Sequence, residues 1–498
     1  MAISPGIRNQ HSGGFNLRLS EKTRWSICLA RLGKVRSEVS SQARSCWVES
    51  MFPLVGIAAT ISRGMSAYRE LFSRRSAFEH VERYINGLLL SANKTLQGIH
   101  SQYVWPDESE RVQRRTMHAG VFEAPWEQEA LMARHRIAVA NHYSHQERQV
   151  ISLDWTHGHH ERGSQIFGVK RQYDYVNGRM SQYHTILTAV LASRQRLDGI
   201  AVEVQGAKWE AEEWAYLQAT RQDNYDETAA VMERLSELVA YQRNRDAYRT
   251  RTEILIEVVQ QIEAEGHFSQ ADYAFDGGVC AAELTQVIEQ ADKHWVSELA
   301  CNRSVLWHNQ WTRIDAVAVE LRQRSESAFR HYPIRQRNGE QKDLWAFSKV
   351  LRLKKIGRKR IVILHEQADL SDAPRFLVTD ALHWDVKRIA ITWSYRWPCE
   401  IFHEFTKEIC GLEAAQLRNE EAVKRHLCLS CLAQSMLQDA PMAGRKSEKF
   451  SFAMETPSIG QKLYGLTREA LIPMVQLIHS LAEQGQSVEQ VVEVMMPA

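Results

Sequence analysis

Three carboxylate residues stand where a fold could present them together to a substrate. Asp154 ends an apolar run at 150–153, Asp276 follows another at 273–275, and Glu400 falls in the first turn of an expected helix. Magnesium prefers hard oxygen ligands, and two such ions about 3.5–4 Å apart can activate an attacking oxygen and stabilise a leaving oxygen at phosphorus. We therefore expect the three side chains to converge as a metal site for phosphodiester chemistry, with raised pKa values because close carboxylates repel.

The helix that carries Glu400 is expected to begin at Pro398, since the first turn tolerates a residue without an N–H. A negative charge is favoured at that end by the helix dipole. Glu400, Glu404 and Lys407 fall on one face. The alternative reading is an amphipathic helix with a solvated charged edge, because helical carboxylates are mostly exposed.

The spacing of Arg396, Glu400 and Lys407 resembles a known signature, Y-x2-R-x3-E-x6-K. It belongs to bacterial insertion-sequence transposases of the DDE type, which have a ribonuclease-H-like core. Trp393 stands where the signature has its tyrosine, and residues 411–427 are also similar to the family. The resemblance implies that Arg396 and Lys407 bind DNA phosphate near the cleaved end.

The same resemblance implies an enzyme that performs cut-and-paste transposition, with end cleavage and then strand transfer. Asp154, Asp276 and Glu400 would be its catalytic residues and its ligands for two Mg²⁺ (or Mn²⁺) ions. Its partners would be double-stranded DNA, at the element ends and the target, and a second copy of the chain as a homodimer on DNA. The resemblance further implies a bacterial protein that lies in the cytoplasm in association with the nucleoid. The alternative is a decayed, non-catalytic DNA-binding protein that derives from a transposase.

The strands and helices expected around these residues indicate an α/β protein with a ribonuclease-H-like mixed-sheet core. A strand ends at Asp154, and strands at 165–175 and 180–191 are joined by the hairpin signal Asn177-Gly178. A further strand ends at Asp276, before a helix at 280–293 and a strand at 295–299. The 400 − 276 = 124 residues between the last two carboxylates exceed what a strand-to-helix loop of about 2–6 residues needs, so we expect a β-rich insertion there.

The expected domain organisation has six parts. They are a poorly ordered extension at 1–64, with Met51 or Met65 as the possible true start; a helical DNA-binding domain at 65–145; the first part of the catalytic core at 146–300; the β-rich insertion at 301–392, with strands at 344–353, 360–365, 376–379 and 390–393; the last core helices at 393–438; and a linker with a helical C-terminal region at 439–498.

A basic block without any acid lies inside the expected insertion. We predict that it contacts DNA phosphate, and the alternative is an ordinary basic hairpin. Its members are Lys349, Arg352, Lys354, Lys355, Arg358, Lys359 and Arg360. Trp345 and Trp384 could stack on a base, although buried packing is the favoured interpretation for both.

The composition is that of a soluble globular protein with a net charge of +2, so any basic surface must be local. No apolar run is long enough to span a bilayer, and the eight cysteines form no disulfide framework. Cys428 and Cys431 are expected in the core. Five histidines are interpreted as surface turn residues rather than a zinc site: His142, His145, His157, His159 and His160.

Overall fold

A computed structural model describes most of the chain. The described residues are 53–105, 111–144, 146–160, 163, 165–174, 178–206, 248–324, 326–336, 339–443 and 458–496.

Helices precede the sheet in the chain. They are α1 (Ala59–Ser66), α2 (Arg75–Leu90), α3 (Leu96–Gln102), α4 (Arg114–Phe122) and α5 (Gln128–Ala140). Leu54 and Ile61 are buried in the same apolar cluster as α2 and α4. The structure thus differs from the expected poorly ordered extension at residues 53–64, where apolar side chains find a core; residues 1–52 lie outside the described part.

The first strands form the half of the sheet that carries two of the carboxylates. They are β1 (Gln149–His159), β2 (Lys170–Asp174), β3 (Arg179–Ala192), β4 (Leu197–Val204), β5 (Ala271–Phe275) and β6 (Trp295–Glu298). β3 pairs antiparallel with β1, β2 and β4, whereas β5 runs parallel to both β1 and β6. Four antiparallel strands followed by two strands parallel to β1 are compatible with a ribonuclease-H-like core.

The expected β-rich insertion extends this same sheet. Its strands are β7 (Ser304–Trp307), β8 (Gln310–Arg313), β9 (Arg330–Arg335), β10 (Gln341–Leu353), β11 (Gly357–His365) and β12 (Arg375–Thr379). β12 pairs antiparallel with β6, so the described strands make one twelve-stranded sheet in the order β2-β3-β1-β5-β6-β12-β11-β10-β7-β8, with β4 beside β3 and β9 beside β10.

Further helices lie between the later strands and after the last one. They are α6 (Arg251–Glu265), α7 (Ala282–Gln290), α8 (Ile314–Arg324), α9 (Val386–Ser394), α10 (Trp397–Glu408), α11 (Glu420–Gln438), α12 (Ile459–Glu483) and α13 (Val488–Met495). The start of α6 is a capping box between Thr250 and Glu253, and Gly266 ends the helix at φ 69°. None of the helices in the described part of the chain is long and apolar enough to span a bilayer.

The mixed α/β fold is confirmed, with local corrections. Residues 390–393, expected as a strand, lie in α9, where Asp385 caps the helix by accepting from the Arg388 N–H. The second strand begins at Lys170 rather than 165, because residues 165–168 form a turn in which Gly168 has φ 78°.

Candidate functional site

The register of two parallel strands brings Asp154 and Asp276 to the same level of the sheet. Leu153 of β1 is the partner of Phe275 of β5 in the last pair of this ladder. Asp154 and Asp276 are the next residues of their chains, and parallel strands carry their carboxyl ends at one edge. Asp154 does not end its strand as expected, because β1 continues its antiparallel pairing with β3 as far as His159.

Helix α10 supplies Glu400 from above this edge. Proline occupies its first turn, as expected, and Phe402 is fully buried beneath it. A Cβ atom on Gly199 of β4 would lie 2.5 Å from the Phe402 ring, so only glycine lets the helix pack this closely. The helix is thereby held with the exposed side of its first turn toward the strand ends.

The guanidinium of Arg396 lies among all three carboxylates. Its Nη1 is 3.1 Å from Glu400 Oε1 and 4.0 Å from Asp154 Oδ2, and its Nε is 3.2 Å from Asp276 Oδ1. The Arg396 side chain is only 13% exposed, and its carbonyl accepts a hydrogen bond from Ser152 of β1. The structure therefore brings together the three carboxylates and one of the two predicted phosphate ligands.

The expected rise in pKa is found at Asp154, where burial is the largest cause. Burial, together with the charges of Glu400 and Asp276, raises the pKa of Asp154 to about 7, against the opposing effect of Arg396. Burial acts to lower the pKa of Arg396, but Asp276 and Glu400 outweigh it and the pKa is raised. The site thus holds an excess of negative charge that a single arginine does not balance.

These carboxylates fit a hard divalent cation. Asp276 Oδ1 is buried and finds no hydrogen-bond partner among the described residues, since its contact with Arg396 Nε lacks hydrogen-bond geometry. Leaving a buried carboxylate oxygen without a hydrogen bond costs free energy, which a bound cation would offset. Oxygen ligands from three carboxylates are the set that Mg²⁺ takes.

Lys407, the other phosphate ligand that the signature implies, is engaged about two turns beyond Glu400. Its ammonium donates to the carbonyl of His157 at 2.6 Å and pairs with Glu413 at 3.1 Å. These contacts fasten the last turn of α10 to β1. The structure gives Lys407 a positioning contact and leaves its predicted binding of DNA phosphate as a prediction.

Cys399 and His403 join Asp154 on the buried side of α10, which the sequence analysis missed. One ligand atom from each of these three residues lies within 4.8 Å of the other two. Burial lowers the pKa of His403 to about 3, so its ring is neutral. The available signal was the Cys-x3-His spacing, which puts both side chains on one helical face.

The histidines at 157, 159 and 160 are not the surface turn residues that we expected. His157 and His159 belong to β1, since that strand continues past Asp154. His160 is buried, and its Nε2 lies 2.9 Å from Nδ1 of His184. Cys428 and Cys431 are buried in the core, as expected, and His145 lies outside the described residues.

The basic block lies on the hairpin of β10 and β11, and its side chains differ in how exposed they are. Lys359 is buried and pairs with Glu289 at 3.0 Å, while Arg360 donates to the Leu382 carbonyl at 2.7 Å. The remaining members are exposed: Lys349, Arg352, Lys354, Lys355 and Arg358. Only these five offer their charges to a phosphate backbone.

The two tryptophans considered for base stacking differ in how deeply they are buried. Trp384 is 2% exposed and lies under the Arg388 guanidinium, 4.0 Å from the ring centroid. Trp345 is half-buried, and its ring centroid is 5.0 Å from that of His331. Buried packing is confirmed for Trp384.

Comparison with known proteins assigns the family. No curated protein matches the chain. The sequence model of a family described as DDE superfamily endonuclease matches residues 67–337, more than half of the chain. The matched segment includes Asp154 and Asp276 and ends before Glu400. Such a match supports a nuclease-like or transposase-like enzyme with DNA as its substrate, and with it this chain belongs to the DDE superfamily endonuclease family.

Proposed function

We propose that this protein is a DDE transposase that cleaves the ends of a mobile DNA element and joins them to target DNA. The observation that carries the proposal is the convergence of Asp154, Asp276 and Glu400 on one guanidinium. The three carboxylates come from two strands and a helix that lie far apart in sequence. Such a cluster has no need to form in a protein that only binds DNA.

In this proposal Asp154, Asp276 and Glu400 hold two divalent ions, Mg²⁺ or Mn²⁺. Bound ions of this kind activate an attacking oxygen and stabilise the leaving oxygen at phosphorus. Asp154 must give up its proton before it can ligate, because its pKa is raised to about 7. Arg396, once its carboxylate partners are neutralised, is free to bind the scissile phosphate through its planar fork of donors.

DNA would run across the exposed part of the β10–β11 hairpin. Five exposed cations lie on this hairpin, and phosphate contacts of lysine and arginine supply most of the sequence-independent affinity for DNA. Lys359 is left out of the interface because Glu289 already neutralises it.

A homodimer on DNA would bring two element ends together. Helices α12 and α13 have apolar side chains that the described part of the chain leaves exposed, which supports an association through this region. The most exposed of them are Tyr464, Ile472, Val475, Val488 and Val492. A bacterial insertion-sequence origin and a cytoplasmic, nucleoid-associated location belong to the same proposal.

The decisive experiment is excision of a marker flanked by the DNA that borders the gene. Wild type should excise it, and Glu400→Gln should not, because the amide removes one anionic ligand from the cluster. Glu404→Gln is the matched control, since this exposed glutamate lies one turn along the same helix. Excision by Glu400→Gln at the wild-type rate would remove Glu400 from the site.

The alternative function, a decayed DNA-binding protein, predicts a different pattern. Neither wild type nor variant would excise the marker, while both would still retard the bordering DNA in an electrophoretic shift. The retention of all three carboxylates in contact with Arg396 favours the enzyme.

A further inference from the structure

The buried face of α10 carries two potential metal ligands that the proposed cleavage does not use. Cys399 and His403 are one helical turn apart, with Sγ and Nε2 separated by 3.8 Å. Thr188 of β3 faces both, at 2.7 Å from His403 Nε2 and 3.6 Å from Cys399 Sγ. The pair is therefore held on one side against the sheet.

Asp154 completes the group from the strand beside it. Thr188 and Asp154 are direct partners across β3 and β1, so their side chains lie on the same face of the sheet. One ligand atom each from Asp154, Cys399 and His403 falls within a 4.8 Å limit of the other two. Asp154 thus belongs to two groups of potential ligands. The first, with Asp276 and Glu400, offers only oxygen atoms; the second, with Cys399 and His403, adds sulfur and nitrogen.

The chemistry of the second group differs from that of the first. Thiolate and imidazole ligands select zinc and similar borderline ions, whereas magnesium prefers oxygen. Zinc bonds of about 2.3 Å to sulfur and about 2.0 Å to nitrogen give a ligand separation of roughly 3.5 Å at the tetrahedral angle. The observed 3.8 Å between Cys399 Sγ and His403 Nε2 is close to this value.

We propose that Asp154, Cys399 and His403 form a separate site for Zn²⁺ or a similar thiophilic divalent ion, which shares Asp154 with the carboxylate cluster. Binding requires the Thr188 hydroxyl to turn away from His403 Nε2. It releases to solvent the Cys399 thiol proton and, where the carboxyl is protonated, the Asp154 proton. Three protein ligands leave the fourth position of a tetrahedral ion to water. Because Asp154 cannot serve both groups fully, zinc binding would inhibit the magnesium-dependent cleavage; this consequence rests on the proposed function.

Cobalt spectroscopy tests the site without any activity assay. The full chain, stripped of metal by a chelator, is titrated with Co²⁺, whose bond to a thiolate gives a near-ultraviolet charge-transfer band. We expect the band to saturate at one Co²⁺ per chain in wild type and in Glu400→Gln, and to disappear on addition of Zn²⁺. It should be absent from Cys399→Ala, and His403→Gln should bind Co²⁺ at least about tenfold more weakly.

Cys431→Ala is the matched control, because Cys431 is buried like Cys399 but does not belong to the proposed site. Circular dichroism establishes that each variant is folded. A wild-type chain without the band, or a band that persists in folded Cys399→Ala, overturns the proposal. If Cys399→Ala does not fold, an unchanged affinity in His403→Gln overturns it instead.

Inhibition is measured as the ratio of DNA cleavage with and without added Zn²⁺, at constant excess Mg²⁺. The ratio should fall in wild type and stay near one in His403→Gln. Cobalt binding without cleavage by any form would leave the site standing and remove the proposed function. Cleavage without the cobalt band would support the proposed function and overturn the proposed zinc site.

Discussion

At the scale of single residues, one arginine organises the candidate site. Arg396 reaches Asp154, Asp276 and Glu400 at once, from the residue that precedes α10. Its charge stabilises three carboxylates that would otherwise repel one another, and its Nε lies 3.2 Å from the Asp276 oxygen that has no hydrogen bond. The same guanidinium is thus a counter-ion in the structure and a phosphate ligand in the proposed reaction.

Replacement of this arginine separates those roles. Arg396→Lys keeps one positive charge but loses the planar fork, so we expect DNA cleavage to fall by about 10²-fold or more while the fold is retained. Cleavage kinetics on a bordering DNA fragment measure the change. Arg418→Lys is a control at an arginine of the chain outside the cluster, and equal effects of the two changes would argue against a special role for Arg396.

The raised pKa of Asp154 predicts how metal-depleted protein responds to pH. An acid whose pKa rises from its usual value to about 7 on folding favours the folded state while it is protonated. Its contribution is fully present below its usual pKa and is lost as pH rises through about 7. The melting temperature of metal-depleted protein should therefore fall by a few degrees between about pH 5 and about pH 8.

Addition of Mg²⁺ at the upper pH should restore that loss, since a cation replaces the proton. Asp154→Asn should show a smaller dependence on pH and on Mg²⁺ in the same thermal scans. A melting temperature of wild type that rises over this interval would contradict the assignment.

At the scale of elements, the site depends on how closely α10 packs on the sheet. The parallel register of β1 and β5 aligns two carboxylates, but Glu400 reaches them only because Gly199 admits the ring of Phe402. The contacts of Lys407 with His157 and Glu413 hold the other end of the helix. Three separate segments thus set the distance between helix and strands.

Gly199→Ala should push α10 outward, because the new methyl would meet the Phe402 ring at 2.5 Å. We expect a loss of roughly 1–3 kcal/mol in the free energy of unfolding. Gly206→Ala is the matched control just after β4, where an added Cβ would lie 3.7 Å from Phe167. Urea denaturation of both variants measures the difference, and equal stability would mean that the core repacks without moving the helix.

At the scale of the whole molecule, the insertion and the core form one surface rather than two. β12 pairs directly with β6, which lies next to the strand that precedes Asp276. The exposed cations of the β10–β11 hairpin are therefore fixed to the sheet that carries the carboxylates. A net charge of only +2 means that DNA affinity must come from such local groups.

Lys354→Gln with Lys355→Gln tests this surface. Each lost phosphate contact should reduce the dependence of log binding constant on log salt concentration by about 0.9. Fluorescence anisotropy of labelled duplex DNA over a range of salt concentrations measures the slope. The exposed pair Arg324→Gln with Arg468→Gln controls for net charge, and the same change of slope in both pairs would remove the hairpin from the interface.

The sequence by itself determined the local features of this protein. These features each depend on only a few neighbouring residues, so the sequence alone predicts them. They are the apolar runs that end in Asp154 and Asp276, the hairpin signal before β3 and the proline at the start of α10. The spacing of Arg396, Glu400 and Lys407 was likewise local, and it led to the DDE type that the comparison supports; the bacterial insertion-sequence origin stays a prediction.

Only the tertiary structure decided how these pieces meet. The Leu153–Phe275 register, the placement of Arg396 among three carboxylates, and the burial of Lys359 depend on pairings between residues far apart in the chain. The mistaken strand at 390–393 and the misread histidines have the same cause, because short apolar or polar runs take the structure that their neighbours in space impose. The Cys-x3-His spacing indicates only the pair of Cys399 and His403 on one helix face, and the tertiary structure alone adds Asp154 from a strand.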